Sequence, residues 1–539
     1  MKSALLKSVA IRTLALATLL PTLSVPAWAQ DEQNAAEATT SQAEDTGLGI
    51  IVVTAQRREQ SVQDVPIAIS AFDDTELARR GVTTALEVAQ FVPNLVGLNN
   101  TGLGSANAYF LRGLGNTETI PTFDPPIGTY VDDIYLSRQN ANNLSLFDVE
   151  RIEVLRGPQG TLFGRNTTGG AVSVFMRKPD FDFGGYAEIG YGSYNMKMAR
   201  ASIDVPLAET FAIKVSGYWQ DDDGYALNTT TGEKLNESDG WGVRLGLLGQ
   251  LSDTVTWSGS YIRTETEAAN LLNFDCDPRN PSNCDGRFIT TGYTTDGTFG
   301  GRFTGDKDDY GLGNLTKMDF VSSNLEFGSG GPVTVNVITG YVYTTQDYAL
   351  DFADGRGLPS LAVPRPPVLG YTLGGFNIVN EGEFSQFTQE VKVNASLGDG
   401  LADLVGGVFY FEEDNFSDFG DLFTISLPFA PPPAGFPLIL ADRTLRNQTR
   451  AWAGYLQGDL NILPMLTLTA GVRFTDEKKT FSISDNRASC NDGTLEPARD
   501  DPVAWVRTPA HAAPVRTGRA HRCRKEARRI GPARPGAAR

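Results

Sequence analysis

Few side chains in this 539-residue chain are placed to do covalent chemistry. Its two histidines, His511 and His521, both lie in the C-terminal tail, which leaves no basis for a catalytic triad or a histidine-based metal centre. The glycine run Gly157 to Gly164 suggests a phosphate loop, but no Gly-Lys-Ser/Thr follows it. The adjacent carboxylates Asp132 and Asp133 read as a turn or surface pair. Cys276 and Cys284 sit close together in one long loop, and closing so small a ring is easy in an oxidising compartment, so a disulfide is expected there. A zinc site is disfavoured, because no histidine lies nearby and two thiols cannot complete a tetrahedron. No catalytic residue, metal site or cofactor is therefore assigned. What remains is a set of charges on segments of strand character: Arg112, Glu150, Arg151, Glu153 and Arg156. Buried charges must be paired, so the chemistry to expect of them is ion pairing.

The elements that carry these charges are legible. Val149 to Leu155 alternates apolar and charged residues, the pattern of a half-buried strand. Glycines at 157, 160, 164, 169 and 170 then demand tight turns, and Ala171 to Phe175 forms a second short strand. The N-terminus reads as a secretory signal over residues 1–29, with Lys2, Lys7 and Arg12 ahead of an apolar core and Ala27-Trp28-Ala29 as cleavage site, leaving Gln30 as the mature N-terminus. No later segment has the roughly 18 unbroken apolar residues of a membrane helix. A net charge of −18 argues against a nucleic-acid partner, since phosphate binding needs clustered cations.

From residue 184 onward the chain alternates. Phe211, Ile213, Val215 and Trp219 take one face and Lys214, Ser216 and Gln220 the other; Trp241, Val243 and Leu245 oppose Arg244. The same pattern returns at Val333 to Tyr341 and at Leu466 to Phe474. Roughly eleven such strands in tandem favour a membrane β-barrel, with apolar faces toward lipid and polar faces toward a wet lumen. Trp219, Trp241, Trp257 and Trp452 suit an interfacial girdle. Short links at Asn195-Met196, Leu207 to Thr210, Ser252-Asp253 and Leu463-Pro464 read as turns on one side, and the long segments 222–239, 268–314, 347–383 and 416–447 as loops on the other.

The stretch Phe147 to Val174 resembles the end of the plug domain of the TonB-dependent outer-membrane receptors, and several other segments match that family in order. Ile50-Ile51-Val52-Val53-Thr54-Ala55 resembles the TonB box, placed at 50–56 after a flexible periplasmic segment at 30–49. Physically it is a β-branched apolar run after an acidic stretch, suited to adding a strand to a partner sheet. Val65 to Phe72, the short helices Thr75 to Gly81 and Thr84 to Val92, Leu111-Arg112-Gly113 and Gly128 to Tyr135 resemble plug elements within 60–178. The resemblance implies an α+β plug inside an antiparallel transmembrane β-barrel, with Arg112, Glu150, Arg151, Glu153 and Arg156 at polar plug–barrel contacts. It also implies TonB-driven import of a scarce solute, an iron–siderophore-like chelate being favoured. The partners it implies are TonB, the small-molecule or metal-chelate ligand and outer-membrane lipid, for a monomer of the Gram-negative outer membrane.

The chain departs from the family in one respect. Residues 184–482 supply about half of the twenty-two strands that the family closes, so the barrel is expected to be incomplete. From 496 to 539 the character changes, with ten Lys or Arg against the single acid Glu526 after residue 506. A frame-shifted or prematurely ended reading frame is the favoured explanation, with a genuine basic tail as the alternative. Two other functional readings stay open: a non-functional truncated product of such a gene, and a soluble exported β-sheet binding protein.

Overall fold

The computed structural model describes residues 52–99, 105–117, 123–228, 234–268, 288–290, 313–351, 372–398, 400–426, 435–463, 465–486 and 506–507, all within one compact unit, Ile50–Arg539. The leader, Ile50, Ile51, Cys276, Cys284 and all of the tail except 506–507 lie outside the described residues.

Residues 52–176 fold into small elements whose buried apolar side chains form two main clusters. In chain order these are β1 (Val52–Val53), β2 (Gln60–Ser61), β3 (Ile69–Asp73), α1 (Asp74–Arg80), a 3-10 turn (Glu87–Phe91), β4 (Leu95–Asn99), β5 (Asn107–Leu111), β6 (Leu114–Gly115), β7 (Ile127–Val131), β8 (Ile134–Leu136), β9 (Val149–Arg156) and β10 (Gly170–Met176). The main sheet has the order β3-β9-β10-β7-β8, with β10 antiparallel to β9 and parallel to β7. Helix α1 starts where the Asp73 side chain accepts from the Glu76 N–H at 2.7 Å and stops at left-handed Gly81. Ile152, Val154, Val172 and Val174 are buried between the sheet and these helices. Gly170 is required at the head of β10: a Cβ there would lie 2.1 Å from the Leu155 carbonyl oxygen, at a φ of +151°. Arg112 and Gly113 form the tight turn joining β5 to β6, where a plug strand was expected.

The second region is one antiparallel sheet built in chain order. Its long strands are β11 (Gly184–Tyr191), β12 (Lys197–Ala208), β13 (Phe211–Asp221), then, after the loop strands β14 (Ala226–Asn228) and β15 (Lys234–Leu235), β16 (Asp239–Ser252) and β17 (Val255–Ala268). Past the loop strand β18 (Phe288–Thr290) come β19 (Gly313–Phe327), β20 (Val333–Asp351), β21 (Thr372–Leu397), β22 (Ala402–Ser426), β23 (Gly435–Leu463) and β24 (Leu466–Asp485). The two-residue β25 (Val506–Arg507) pairs with Lys478 and Lys479 at the far edge. Among the described residues β11 pairs only with β12, so the sheet is open rather than closed on itself.

The alternation has its expected physical meaning. On β13, Lys214 and Ser216 are buried on the inner face, whereas Val215 and Trp219 are each 46% exposed on the outer one. Trp241, Tyr341, Trp452 and Phe474 continue the outer apolar surface. A membrane crossing needs about ten residues of tilted strand, so β21 to β23, at 26, 25 and 29 residues, extend well beyond it. The tight links β12–β13, β16–β17, β19–β20, β21–β22 and β23–β24 share one end of the sheet. The turn at Asn195-Met196 is a correction: it joins β11 to β12 and therefore lies at the opposite end, with the long loops. Strand parity decides the side, and a short length does not.

Candidate functional site

The small domain lies against the inner face of the sheet, and the contact is built from side chains that are charged and buried together. Arg57 and Arg58 follow β1 and reach the wall near its tight turns. Arg57 pairs with Glu390 at 2.7 Å and also donates to the Leu162 carbonyl at 3.1 Å. Arg58 bridges Asp459 at 2.5 Å and Asp403 at 3.2 Å. Higher on the wall Arg138, just beyond β8, forks onto Glu413, which also accepts from Thr449 at 2.7 Å. Asp124 gathers Arg138, Arg165 and Lys479, the last at 2.6 Å, and Arg165 reaches Glu477 at 3.0 Å. On the other flank Asp148 meets Arg244 at 2.7 Å and Lys214 at 3.6 Å.

The Asp132-Asp133 pair is the hairpin turn between β7 and β8, with both residues at positive φ. Asp133 nevertheless faces Lys392 at 3.2 Å and Arg57 at 3.9 Å. Burial would raise its carboxyl, but these two cations outweigh it and hold the group down at about 2. Burial acts upward on Asp124 as well, and Arg165, Arg138 and Lys479 bring it below the ordinary carboxylate value. Both acids are thus charged at neutral pH, as a wall contact made of ion pairs requires.

The charges singled out from sequence sit elsewhere. Arg151 pairs with Glu150 at 2.6 Å and Glu153 at 2.9 Å and lies over the Phe175 ring. Arg156 donates to the Ile69 carbonyl at 3.4 Å, and Arg112 is exposed on its turn. Among the described residues none of these five is ion-paired to a barrel strand. The reason is position: β9 lies between β3 and β10 in the middle of the small domain's sheet, so its side chains meet that domain's own neighbours. The residues that do reach the wall, Arg57, Arg58, Asp124, Asp133, Arg138, Asp148 and Arg165, come from turns and loops. A buried charge beside Gly, Pro or a tight turn was the available signal.

Of the six residues Ile50 to Ala55, Val52 and Val53 form β1, paired with β2, and Val53 and Ala55 are fully buried. Thr54 donates its N–H to Glu153 Oε1 at 2.9 Å. Burial raises the Glu153 carboxyl above its ordinary value, although the Thr54 N–H and Arg151 act downward.

The contact has a second, apolar sector. Ile262 on β17, Met318 and Phe320 on β19, and Ile338 and Val342 on β20 join the core of the small domain. Gly340 permits the close approach, since a Cβ there would lie 2.6 Å from Ile134. Below it, toward the tight turns, a polar cavity of about 680 Å³ is lined by Arg57, Arg151 and Lys178 of the small domain and by Ser260, Ser322 and Lys392 of the wall.

Comparison with known proteins places these features. Residues 61–171 match the TonB-dependent receptor plug domain. The pesticin receptor of Yersinia pestis is 28% identical over 198 residues, which are 36% of this chain and 28% of that protein. A vitamin B12 transporter of Vibrio vulnificus is 27% identical over 254 residues, 42% of this chain and 40% of that protein. Among solved structures, the ferric yersiniabactin uptake receptor of Yersinia pestis superposes with a TM-score of 0.61 at 18% identity, covering 82% of this chain and 60% of that one. The closed form of the ferric-catecholate import receptor of E. coli gives 0.60 at 14% identity, with 83% and 62% covered. The chain spans less than half the length of the curated relatives it matches. Residues 61–171 are thus a TonB-dependent receptor plug domain, seated through buried charges on an eleven-strand wall that shares the fold of these receptors.

Proposed function

We propose that the chain acts in TonB-dependent import of a scarce solute across the outer membrane, energised from the inner membrane. The observation that carries this reading is the plug seated on the barrel wall by buried ion pairs, with a β-branched segment docked beside it. A contact made of charges has water as a ready substitute for each partner, so the plug can shift without tearing a large apolar core. An iron–siderophore-like chelate is the favoured cargo, because the yersiniabactin and catecholate receptors are named for ferric ligands. TonB would engage Ile50, Ile51, Val52, Val53, Thr54 and Ala55 by strand addition. The protein would act as a monomer held by lipid around its outer apolar face. Nothing in this reading calls for catalysis, a cofactor or nucleic acid.

The test is V52P. Proline removes a ladder donor and fixes φ, so the segment could not add to a partner sheet. Cells carrying the variant should bind a labelled ferric chelate at the surface and fail to accumulate it. Accumulation equal to wild type would overturn the proposal.

A further inference from the structure

One small cavity in the charged sector is short of negative charge. It holds about 20 Å³, and its lining includes three arginines, Arg57, Arg165 and Arg473, against two acids, Asp133 and Glu390. Both acids are already engaged. Glu390 accepts from Arg57 at 2.7 Å and from the Tyr455 hydroxyl at 2.6 Å, and Asp133 faces Lys392 at 3.2 Å. Arg165 has Asp124 at 2.9 Å and Glu477 at 3.0 Å. Arg473, half-buried on β24, makes no ion pair among the described residues. Its Nε donates to Thr475 Oγ1 at 3.2 Å, and its guanidinium lies over the Tyr455 ring. The wider network has the same imbalance. Its six cations are Arg57, Arg138, Arg165, Lys392, Arg473 and Lys479, and its five carboxylates are Asp124, Asp133, Glu390, Glu413 and Glu477.

We propose that this cavity binds one small monovalent anion, chloride from the medium, which completes the charged seat of the plug. A guanidinium held beside a second one without its own counter-charge is costly where water is excluded, and an anion between them removes that cost. Donors are available for it. Arg57 is only 5% exposed, yet its Nε has no hydrogen-bond partner among the described residues, and neither has Arg165 Nε. The volume decides the class of ligand. About 20 Å³ is room for one water-sized particle, which suits a single halide ion and excludes sulfate, phosphate or a chelate. Gly164 keeps the approach open: a Cβ there would lie 2.7 Å from Arg473 Nη2, so a side chain at that point of the plug loop would push Arg473 aside. Arg57 and Arg165 come from the plug, Glu390 and Arg473 from the wall. The site therefore exists only while the plug is seated.

The test compares sodium chloride with sodium gluconate, whose anion is too large for the cavity, at equal ionic strength. The full chain, purified in detergent micelles, is followed by the urea midpoint of plug seating. Because the anion binds only the seated form, each tenfold rise in chloride above its dissociation constant should stabilise that form tenfold, about 1.4 kcal/mol. Bromide should act like chloride, and sulfate like gluconate. R473Q should lose the chloride dependence. In gluconate it should be at least as stable as wild type, since the uncompensated charge is gone. E150Q, which lies outside the cavity lining, should keep the dependence. The chloride magnetic resonance line reads binding itself: wild type should broaden it more than R473Q does, and excess bromide should cancel the difference. A wild-type midpoint equal in chloride and gluconate would overturn the site, whether or not R473Q folds. A chloride effect of the same size in wild type and R473Q would overturn it too, as the mark of diffuse binding at the surface. Equal broadening by the two proteins would do the same.

Discussion

The plug meets its wall in two ways, and the difference is instructive. Against β17, β19 and β20 the contact is apolar, and Phe320 and Ile338 pack into the same core that holds Ile152 and Val174. Against β21 to β24 charge dominates, with Glu390, Lys392, Asp403, Glu413, Asp459, Glu477 and Lys479 each matched by a plug partner, and Phe411, Ala451, Val405 and Tyr455 adding smaller apolar contacts. Apolar burial is non-directional and persists through small shifts. A buried ion pair is directional: it resists until one partner moves and then exchanges the other for water. The apolar sector is therefore suited to be the hinge and the charged sector the release.

Three substitutions would sharpen or break that division. The largest effect is expected from Glu413→Ala, which leaves the buried Arg138 with Asp124 as its remaining carboxylate and should destabilise the seated plug by up to about 3–5 kcal/mol, read as a lower urea midpoint. F320A should cost a similar or slightly smaller amount, about 3–5 kcal/mol at the upper end of burial, but it should loosen the hinge and leave the charged sector's behaviour unchanged. Disruption of the exposed Glu76–Arg80 pair on α1 is the contrast: it should change stability by less than about 0.5 kcal/mol, because a solvated i,i+4 pair contributes little.

Acid should act on the charged sector through Asp133. Asp133 has its carboxyl depressed to about 2 by Lys392 and Arg57. A depressed carboxylate contributes stability that is complete above its ordinary value, near about 4, and is lost as pH falls toward 2. Plug seating measured by urea midpoint should therefore hold from neutral pH to about pH 4 and decline below it. D133N should start lower and flatten that decline.

Sequence reading reached the fold more fully than the site, for a physical reason. Alternation is imposed by lipid on one side and polar surroundings on the other, and it repeats along every long strand, so Lys214 against Val215 is visible without coordinates. The charged contacts depend on which plug turns face the wall. Arg138, Arg165 and Asp124 sit in irregular segments where no period marks a face. Glu153 was flagged because a charge on an apolar strand must find a partner, and it did find one. Its ionic partner is its neighbour Arg151, and its long-range donor is Thr54, 99 residues earlier, rather than the barrel. Long-range pairing of this kind carries no local signal.

The division into hinge and release is tested most directly by cysteine labelling across a urea series, in a background with the four native cysteines replaced by serine. S137C reports the charged sector, where Ser137 N–H donates to Gln386 at 2.9 Å, and V149C reports the apolar one, where Val149 lies beside Met318 and Phe320. The account predicts that S137C becomes reactive at a clearly lower urea concentration than V149C. Simultaneous exposure, or earlier exposure of V149C, would contradict it.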